Sequence, residues 1–209
     1  MSNTTAAAGM MRASSRITAR NLAVTAMLST IAFVLMFLDF AIPFLIPSFV
    51  KMDVSELPAL LAAFSLGPIY GVAVCLVKNL IHLLITTTGG AGELCNFLLG
   101  VFFVVPAGVI YKWMKSRKGA IIGALVGALC MGLLSIPLNY YITYPIYANF
   151  MPIDAILNMY KELRPSANGL LECLITFNAP FTFIKGLLVT AICFLIYKPL
   201  SPILHGKRG

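Results

Sequence analysis

The stretch "PFTFIKGLL", residues 180–188, carries a lysine in the middle of an apolar run long enough to cross a bilayer. Asn178, Thr182 and Lys185 recur at i, i+4, i+7, which puts an amide, a hydroxyl and an ammonium on one helical face. An ionisable group at membrane depth costs roughly 2.5–3.5 kcal/mol on insertion scales, so such groups turn toward a bundle interior or a water-filled cavity. Three other apolar runs carry stripes of the same kind. One has Glu93, Asn96 and Gly100; another has Asn79, His82 and Thr86, with Lys78 one residue off; the third has Asn139, Thr143 and Tyr147, interrupted by Pro137 and Pro145. The stripes sit mostly toward the same end of their runs.

Two readings compete for them. Amides, hydroxyls and imidazoles hydrogen-bond between membrane helices simply to hold a bundle together, and His82 alone reads as a satisfied packing histidine. Four stripes tilted to one end favour a pocket. Lys78 either snorkels or pairs with Glu93. Such a pocket offers chiefly amides, hydroxyls and one or two lysines, with Phe97, Tyr140, Tyr141, Phe177 and Phe181 as aromatic neighbours. Amides and hydroxyls match a neutral polyol or a ring imide, and aromatic walls suit a flat ring. An anion would call for an arginine fork, which none of the stripes contains. A flat heterocycle bearing hydroxyls therefore fits better than an acid. The chain has no H-E-x-x-H, G-x-S-x-G or G-x-x-x-x-G-K-[ST] pattern, so the residues point to binding rather than catalysis, and ATP-driven transport would need the nucleotide on another chain.

These residues need elements to position them. Of 209 residues, 60% are apolar and 11% charged, a composition that places the chain among polytopic membrane proteins. Apolar content and turn signals divide it into six runs, at about 19–46, 57–66, 69–87, 94–114, 119–147 and 170–198. The expected fold is an all-α bundle of six membrane-spanning helices, residues 19–198, between an N-terminal tail, 1–18, and a C-terminal tail, 199–209. Arg12, Arg16 and Arg20, then Lys112, Lys115, Arg117 and Lys118, then Lys198, Lys207 and Arg208 fall on one side of six spans, which the positive-inside rule makes cytoplasmic, both termini included. The basic residues are spread between apolar runs rather than gathered among aromatics, which argues against nucleic acid. Five scattered cysteines with no C-x-x-C pair read as packing residues, not as disulfide or metal ligands. The connection at 148–168 contains "PIDAILNMYKEL", where Ile153, Ile156, Leu157 and Tyr160 recur at helical spacing; it reads as a short interfacial helix or as an ordinary surface connector. In the first run Ala19, Ala23, Ala26 and Thr30 form a stripe of small residues, which lets another helix approach closely, from this chain or from a partner.

The stretches "FVKMDVSELPALLAAFSLGPIYGV", "LVKNLIHLL", "GELCNFLLGVFFVVPAG", "LNYYITYPIY" and "PFTFIKGL" resemble the substrate-binding S components of energy-coupling factor (ECF) vitamin transporters, the riboflavin-binding type most of all. The resemblance covers about residues 20–198. It implies a six-helix bundle in a bacterial cell membrane, with one vitamin bound near the outer face and capped by the connection after the first span. It implies riboflavin as the transported ligand, with flavin mononucleotide a second possibility, and no cofactor. Carried over by motif, the ligand-binding candidates are Val50, Lys51, Met52, Asp53, Asn79, Glu93, Asn96, Asn139, Thr182 and Lys185, and Asn178 one turn before Thr182 supplies a further amide. On this reading Lys185 donates to a carbonyl of the flavin ring. The implied partners are a membrane coupling subunit and two cytoplasmic ATPases, docked through Ala19, Ala23, Ala26 and Thr30. The alternatives are an S component for a different vitamin, because pocket residues alone decide substrate on one fold, and a stand-alone secondary transporter, for which the chain shows no internal repeat. An intramembrane enzyme built on Glu93, His82 and the lysines has no recognised catalytic spacing.

Overall fold

The computed structural model describes residues 18–86 and 88–205. The tail at 1–17 and its Arg12 and Arg16, and Lys207 and Arg208 at the other end, lie outside the described residues. Helix α1, Ala19–Met36, begins where the Thr18 hydroxyl accepts from the Asn21 N–H at 3.2 Å, an N-cap that satisfies one orphan donor. Its buried face is Thr25, Leu28, Ser29, Ala32 and Met36. Ala19, Ala23, Ala26 and Thr30 are all exposed, so the small-residue stripe lies on the face of α1 turned away from its buried residues.

After α1 the chain doubles back through a short antiparallel pair, β1 (Phe40–Ala41) and β2 (Lys51–Met52), with Phe40 opposite Met52 and Ala41 opposite Lys51. An all-α reading did not foresee it, because two-residue strands carry no alternation to read. Just outside the pair, Lys51 and Asp39 are joined at 2.9 Å.

Helix α2, Glu56–Ser65, is ten residues long and buried from Glu56 to Phe64. At 1.5 Å per residue it covers about half of a 30 Å hydrocarbon core. Its length and its all-round apolar surface are those of a helix enclosed by others rather than one facing lipid. Gly67, at φ +121°, turns the chain, and Pro68 occupies the first turn of α3, Pro68–His82. A 3-10 turn, Leu83–Ile85, ends that span. Helix α4, Ala91–Met114, starts three residues before the expected boundary and so takes Glu93 into its first turn. Helix α5, Arg117–Leu138, is capped by Ser116 and runs through a π-turn at Asn139–Thr143 into α6, Tyr144–Tyr147. After α7, Ile153–Leu163, a second π-turn at Leu174–Asn178 joins α8, Leu170–Cys173, to α9, Ala179–His205. Among the described residues five helical segments are long and apolar enough to cross a membrane, and α2 is apolar but too short to be counted with them.

The core gathers around α2, with Ala59, Leu60 and Ala63 packed among Val74 and Cys75 of α3, Phe103 and Val104 of α4 and Val189 of α9. Helices α4 and α5 approach until backbone meets backbone. A Cβ at Gly123 would stand 2.6 Å from the Ala107 carbonyl oxygen, and one at Gly127 would collide with that of Phe103. This is the small-xxx-small solution to packing where lipid offers no hydrophobic drive between helices.

Polar contacts hold α2 in place as well. Lys78, fully buried on α3, donates to Glu56 at 2.7 Å and to the Ser55 hydroxyl at 2.5 Å. The expectation that Lys78 snorkels or pairs with Glu93 is therefore corrected. The Glu56 carboxylate, equally buried, stands 2.7 Å from the ammonium, whereas Glu93 is taken by His82, and a buried ammonium needs a carboxylate beside it. Removing one member of a buried pair leaves an uncompensated charge, at a cost of roughly 3–5 kcal/mol. Lys78→Met is expected to destabilise the chain by about that amount, toward the lower end because Lys185 also reaches Glu56. Combining it with Glu56→Leu should recover much of the loss, read as a non-additive double-mutant cycle in detergent unfolding; additive effects would show that the pair does not hold α2.

Candidate functional site

At the end of the bundle opposite the Lys112–Lys118 connection, a cavity of about 420 Å³ opens between the returning chain after α1 and helices α3, α4, α5, α6 and α9. Its floor is ionic. Lys185, on α9, lies 2.7 Å from Asp53 and 3.3 Å from Glu56, and Glu56 lies 2.7 Å from Lys78. Two ammonium groups and two carboxylates thus cancel in one cluster. Burial by itself would raise the Asp53 carboxyl. The ammonium groups of Lys185 and Lys78, with hydrogen bonds from Lys185 and from the Ser55 N–H, outweigh it and hold the group well below the usual carboxylate range. Asp53, two residues before the Ser55 N-cap, also accepts the Ser55 N–H at 2.8 Å, which fixes the turn into α2.

One wall comes from α3 and α4. His82 Nδ1 meets Glu93 at 2.8 Å, and the other Glu93 oxygen accepts from the hydroxyls of Thr86 at 2.9 Å and Thr88 at 3.0 Å. His82 is the satisfied histidine the sequence suggested, and it also lines the cavity. The opposite wall comes from α5, α6 and α9. Asn139 donates to the Ser135 carbonyl at 2.7 Å, one turn back across the start of the π-turn. Asn178 sits in a closed triad, accepting from the Tyr160 hydroxyl at 2.6 Å and donating to Tyr144 at 3.3 Å, while the Tyr144 hydroxyl donates to Tyr160 at 2.5 Å. Burial pushes the Tyr160 phenol up, only partly countered by its bonds to Tyr144 and Asn178. Through that triad α7 is tied into the bundle. The connector at 148–168 thus holds a helix, with Ile156 and Tyr160 turned inward against Phe49, Tyr147 and Phe177.

Most sequence-derived candidates meet here. Val50, Lys51, Asp53, Glu93, Asn96, Asn139, Asn178, Thr182 and Lys185 all line the cavity. Met52 and Asn79 do not: Met52 packs with Ile46 and Phe181 behind the wall, and Asn79 donates to the Cys75 carbonyl at 2.8 Å on its own helix. Tyr140 and Tyr141 are likewise corrected as wall aromatics. The π-turn rotates them outward, with Tyr141 74% exposed, and the rings that reach the cavity are Phe37, Phe49, Tyr144, Tyr147 and Phe181. Sequence reasoning missed Asp39, Phe49, Glu56 and Tyr144. Glu56 had a signal, a carboxylate three residues after Asp53 at the mouth of an apolar run; Phe49 had none, because it sits in an irregular loop.

The wall is not uniformly spent. Asn96 and Thr182 face the cavity without a hydrogen-bond partner among the described residues. The ammonium of Lys185 carries three protons and has two carboxylates to receive them. The site therefore offers a few free donors and acceptors, aromatic faces and a floor whose four charges cancel, with the Glu93 carboxylate on the wall held by His82, Thr86 and Thr88 and no cluster of metal-ligating side chains among the described residues.

The model of the family "ECF transporter, substrate-specific component" matches residues 20–197. The chain is 36% identical over 185 residues to "Riboflavin transporter RibU" of Staphylococcus aureus (strain TCH60), covering 88% of this chain and 92% of that protein. It is 33% identical over 193 residues to "Riboflavin transporter FmnP" of Bacillus subtilis (strain 168), covering 91% and 96%. A solved structure described as the S component of a bacterial ECF transporter superposes with a TM-score of 0.69 at 34% identity, over 90% of this chain and 98% of that one. The chain therefore belongs to the substrate-specific components of ECF transporters, a multi-pass protein of the bacterial cell membrane and a transporter component rather than an enzyme.

Proposed function

We propose that this chain captures riboflavin in the cavity beside Lys185 and hands it inward when joined to an energising module. The observation that carries the reading is the chemistry of the cavity: flat aromatic walls, unpaired polar groups at Asn96 and Thr182, and an ionic floor that is already neutral. Riboflavin is an uncharged tricyclic imide with a hydroxylated tail. Its ring needs apolar faces, its imide and hydroxyls need amides and hydroxyls, and nothing in it needs a spare cation. The volume lies within the roughly 300–1,000 Å³ of small-molecule sites. The names of the relatives in Staphylococcus aureus and Bacillus subtilis support the same substrate.

In this reading Asn96, Thr182 and the third proton of Lys185 contact the ligand. Val50, Lys51, Met52 and Asp53 form its cap, with Met52 acting from behind Phe181. Glu93, Asn139 and Asn178 shape the walls, and Asn79 supports Cys75 and α4 rather than touching the flavin. Helices α1, α2, α3, α4, α5 with α6, and α8 with α9 make six membrane passes, with both termini in the cytoplasm and the cavity toward the outside; the basic connection between α4 and α5 supports this. A membrane coupling subunit and two ATPases complete the transporter. The outward stripe Ala19, Ala23, Ala26 and Thr30 is the docking face, since small residues permit close helix approach.

Flavin fluorescence during titration of the detergent-purified chain tests the ligand. Saturable quenching near one riboflavin per chain is expected, with flavin mononucleotide run in parallel, and an apo, folded preparation that gives no quenching moves the assignment to another vitamin. Asn96→Leu and Thr182→Val should each weaken riboflavin binding by roughly 1–3 kcal/mol, the cost of a ligand group left unpaired; unchanged affinity in both would remove them from the contact set. Ala23→Leu should leave riboflavin binding by the isolated chain intact and abolish ATP-driven uptake in vesicles holding the coupling subunit and ATPases. Normal uptake would place docking elsewhere.

A further inference from the structure

All seven Asp and Glu side chains of the chain lie at the riboflavin-cavity end or on the connection above it: Asp39, Asp53, Glu56, Glu93, Asp154, Glu162 and Glu172. The other end of the bundle carries Lys112, Lys115, Arg117 and Lys118 within seven residues, and none of them is in an ion pair among the described residues. Four cations with no side-chain carboxylate at their level would be complemented by an anion from outside the chain.

The structure has a place for one. A second cavity, of about 160 Å³, opens between α2, α4, α5 and α9 at that end. Its inner part is apolar: Phe64 of α2 lies 5.1 Å, ring centre to ring centre, from Tyr111 of α4 and 6.5 Å from Phe194 of α9. Its rim is Lys115, Ser116 and Arg117. The first turn of α5 begins there with no acidic residue to meet the helix dipole, and the Ser116 hydroxyl already accepts the Gly119 N–H at 3.0 Å. Beside it, Trp113 is 81% exposed, as an indole anchored at a membrane–water boundary would be. Apolar depth, a cationic rim and a position at headgroup level are the features of a slot for an amphiphilic anion.

We propose that this cavity binds the phosphodiester headgroup of an anionic phospholipid, with Lys115 and Arg117 on the phosphate and the glycerol end against Phe64, Tyr111 and Phe194. Lys112 and Lys118 lie outside the slot and add only a diffuse field. The site is separate from the flavin cavity, and its chemistry is the same whichever leaflet it faces. A bound lipid would replace the missing carboxylates and seat the α4–α5 connection at the membrane surface.

Native mass spectrometry of the full chain, with added phosphatidylglycerol or phosphatidylcholine of the same acyl chains, tests it. The wild type should retain one phosphatidylglycerol and little phosphatidylcholine. The double variant Lys115→Gln, Arg117→Gln should lose that retention by about ten-fold or more, each cation near an anionic headgroup contributing on the order of a few-fold to ten-fold. The control Lys112→Gln, Lys118→Gln removes the same charge outside the slot and should retain most of it. Riboflavin titration of each preparation reports that the bundle is folded and keeps the two sites' outcomes apart. Equal loss in both double variants, equal retention of the two lipids, or no loss in Lys115→Gln, Arg117→Gln would overturn the proposal. Displacement of the lipid by millimolar inorganic phosphate would overturn the lipid source and leave a free-phosphate site.

Discussion

The ammonium of Lys185, held between Asp53 and Glu56 at the floor of the cavity, is the contact on which the rest of the site depends. It joins three parts of the chain that sequence separates widely: the cap after α1, the buried helix α2 and the last span. Lys78 extends the same cluster to α3. Each charge is too costly to bury alone, so the four are buried together or not at all. That all-or-none character turns a loop into a wall, because Asp53 cannot leave the floor without stranding a lysine in the bundle. On the proposed reading, a floor that has already cancelled its own charges has no electrostatic reason to prefer an anion, which leaves selectivity to the aromatic faces and to the unpaired amide and hydroxyl at Asn96 and Thr182.

Around that floor the chain departs from regular helix twice, at Asn139–Thr143 and at Leu174–Asn178, and both π-turns fall on cavity-lining residues. A π-turn widens the helix by a residue and leaves backbone groups to be served by side chains, and such turns recur at functional sites. Here Asn139 bonds the backbone of the turn before it, and Asn178 bonds the two tyrosines that fasten α7. The outer connection is thereby held by a buried three-member network rather than by a flexible linker. The opposite end is built on another principle, with lysines and arginines unopposed by carboxylates and close Gly-to-backbone packing of α4 on α5.

Much of this was legible in the sequence, for physical reasons that can be named. Apolar runs and their breaks at Gly67–Pro68 and at the basic link of Lys115, Arg117 and Lys118 located the helices because bilayer thickness imposes their length. The stripe Asn178, Thr182, Lys185 located a polar interior because nothing else tolerates a lysine there. Other features depend on neighbours that no local pattern encodes. The partner of Lys78 was Glu56 rather than Glu93, since pairing follows distance in the folded bundle. Tyr140 and Tyr141 turned outward because the π-turn altered the phase that helical spacing assumes. The β1–β2 pair and Phe49 lie in an irregular connection that meets the bundle through the buried Asp53–Lys185 pair, a contact between residues far apart in sequence that local propensity does not encode.

A crystal structure of the chain with riboflavin bound tests the central claim most directly. The flavin should lie in the cavity among Phe49, Tyr147 and Phe181, with Asn96 and Thr182 on its polar atoms and Lys185 still within hydrogen-bonding distance of Asp53 and Glu56. A flavin bound elsewhere, or one that draws Lys185 away and leaves Asp53 unpaired beneath it, would contradict the view that a self-neutralised ionic floor defines the site.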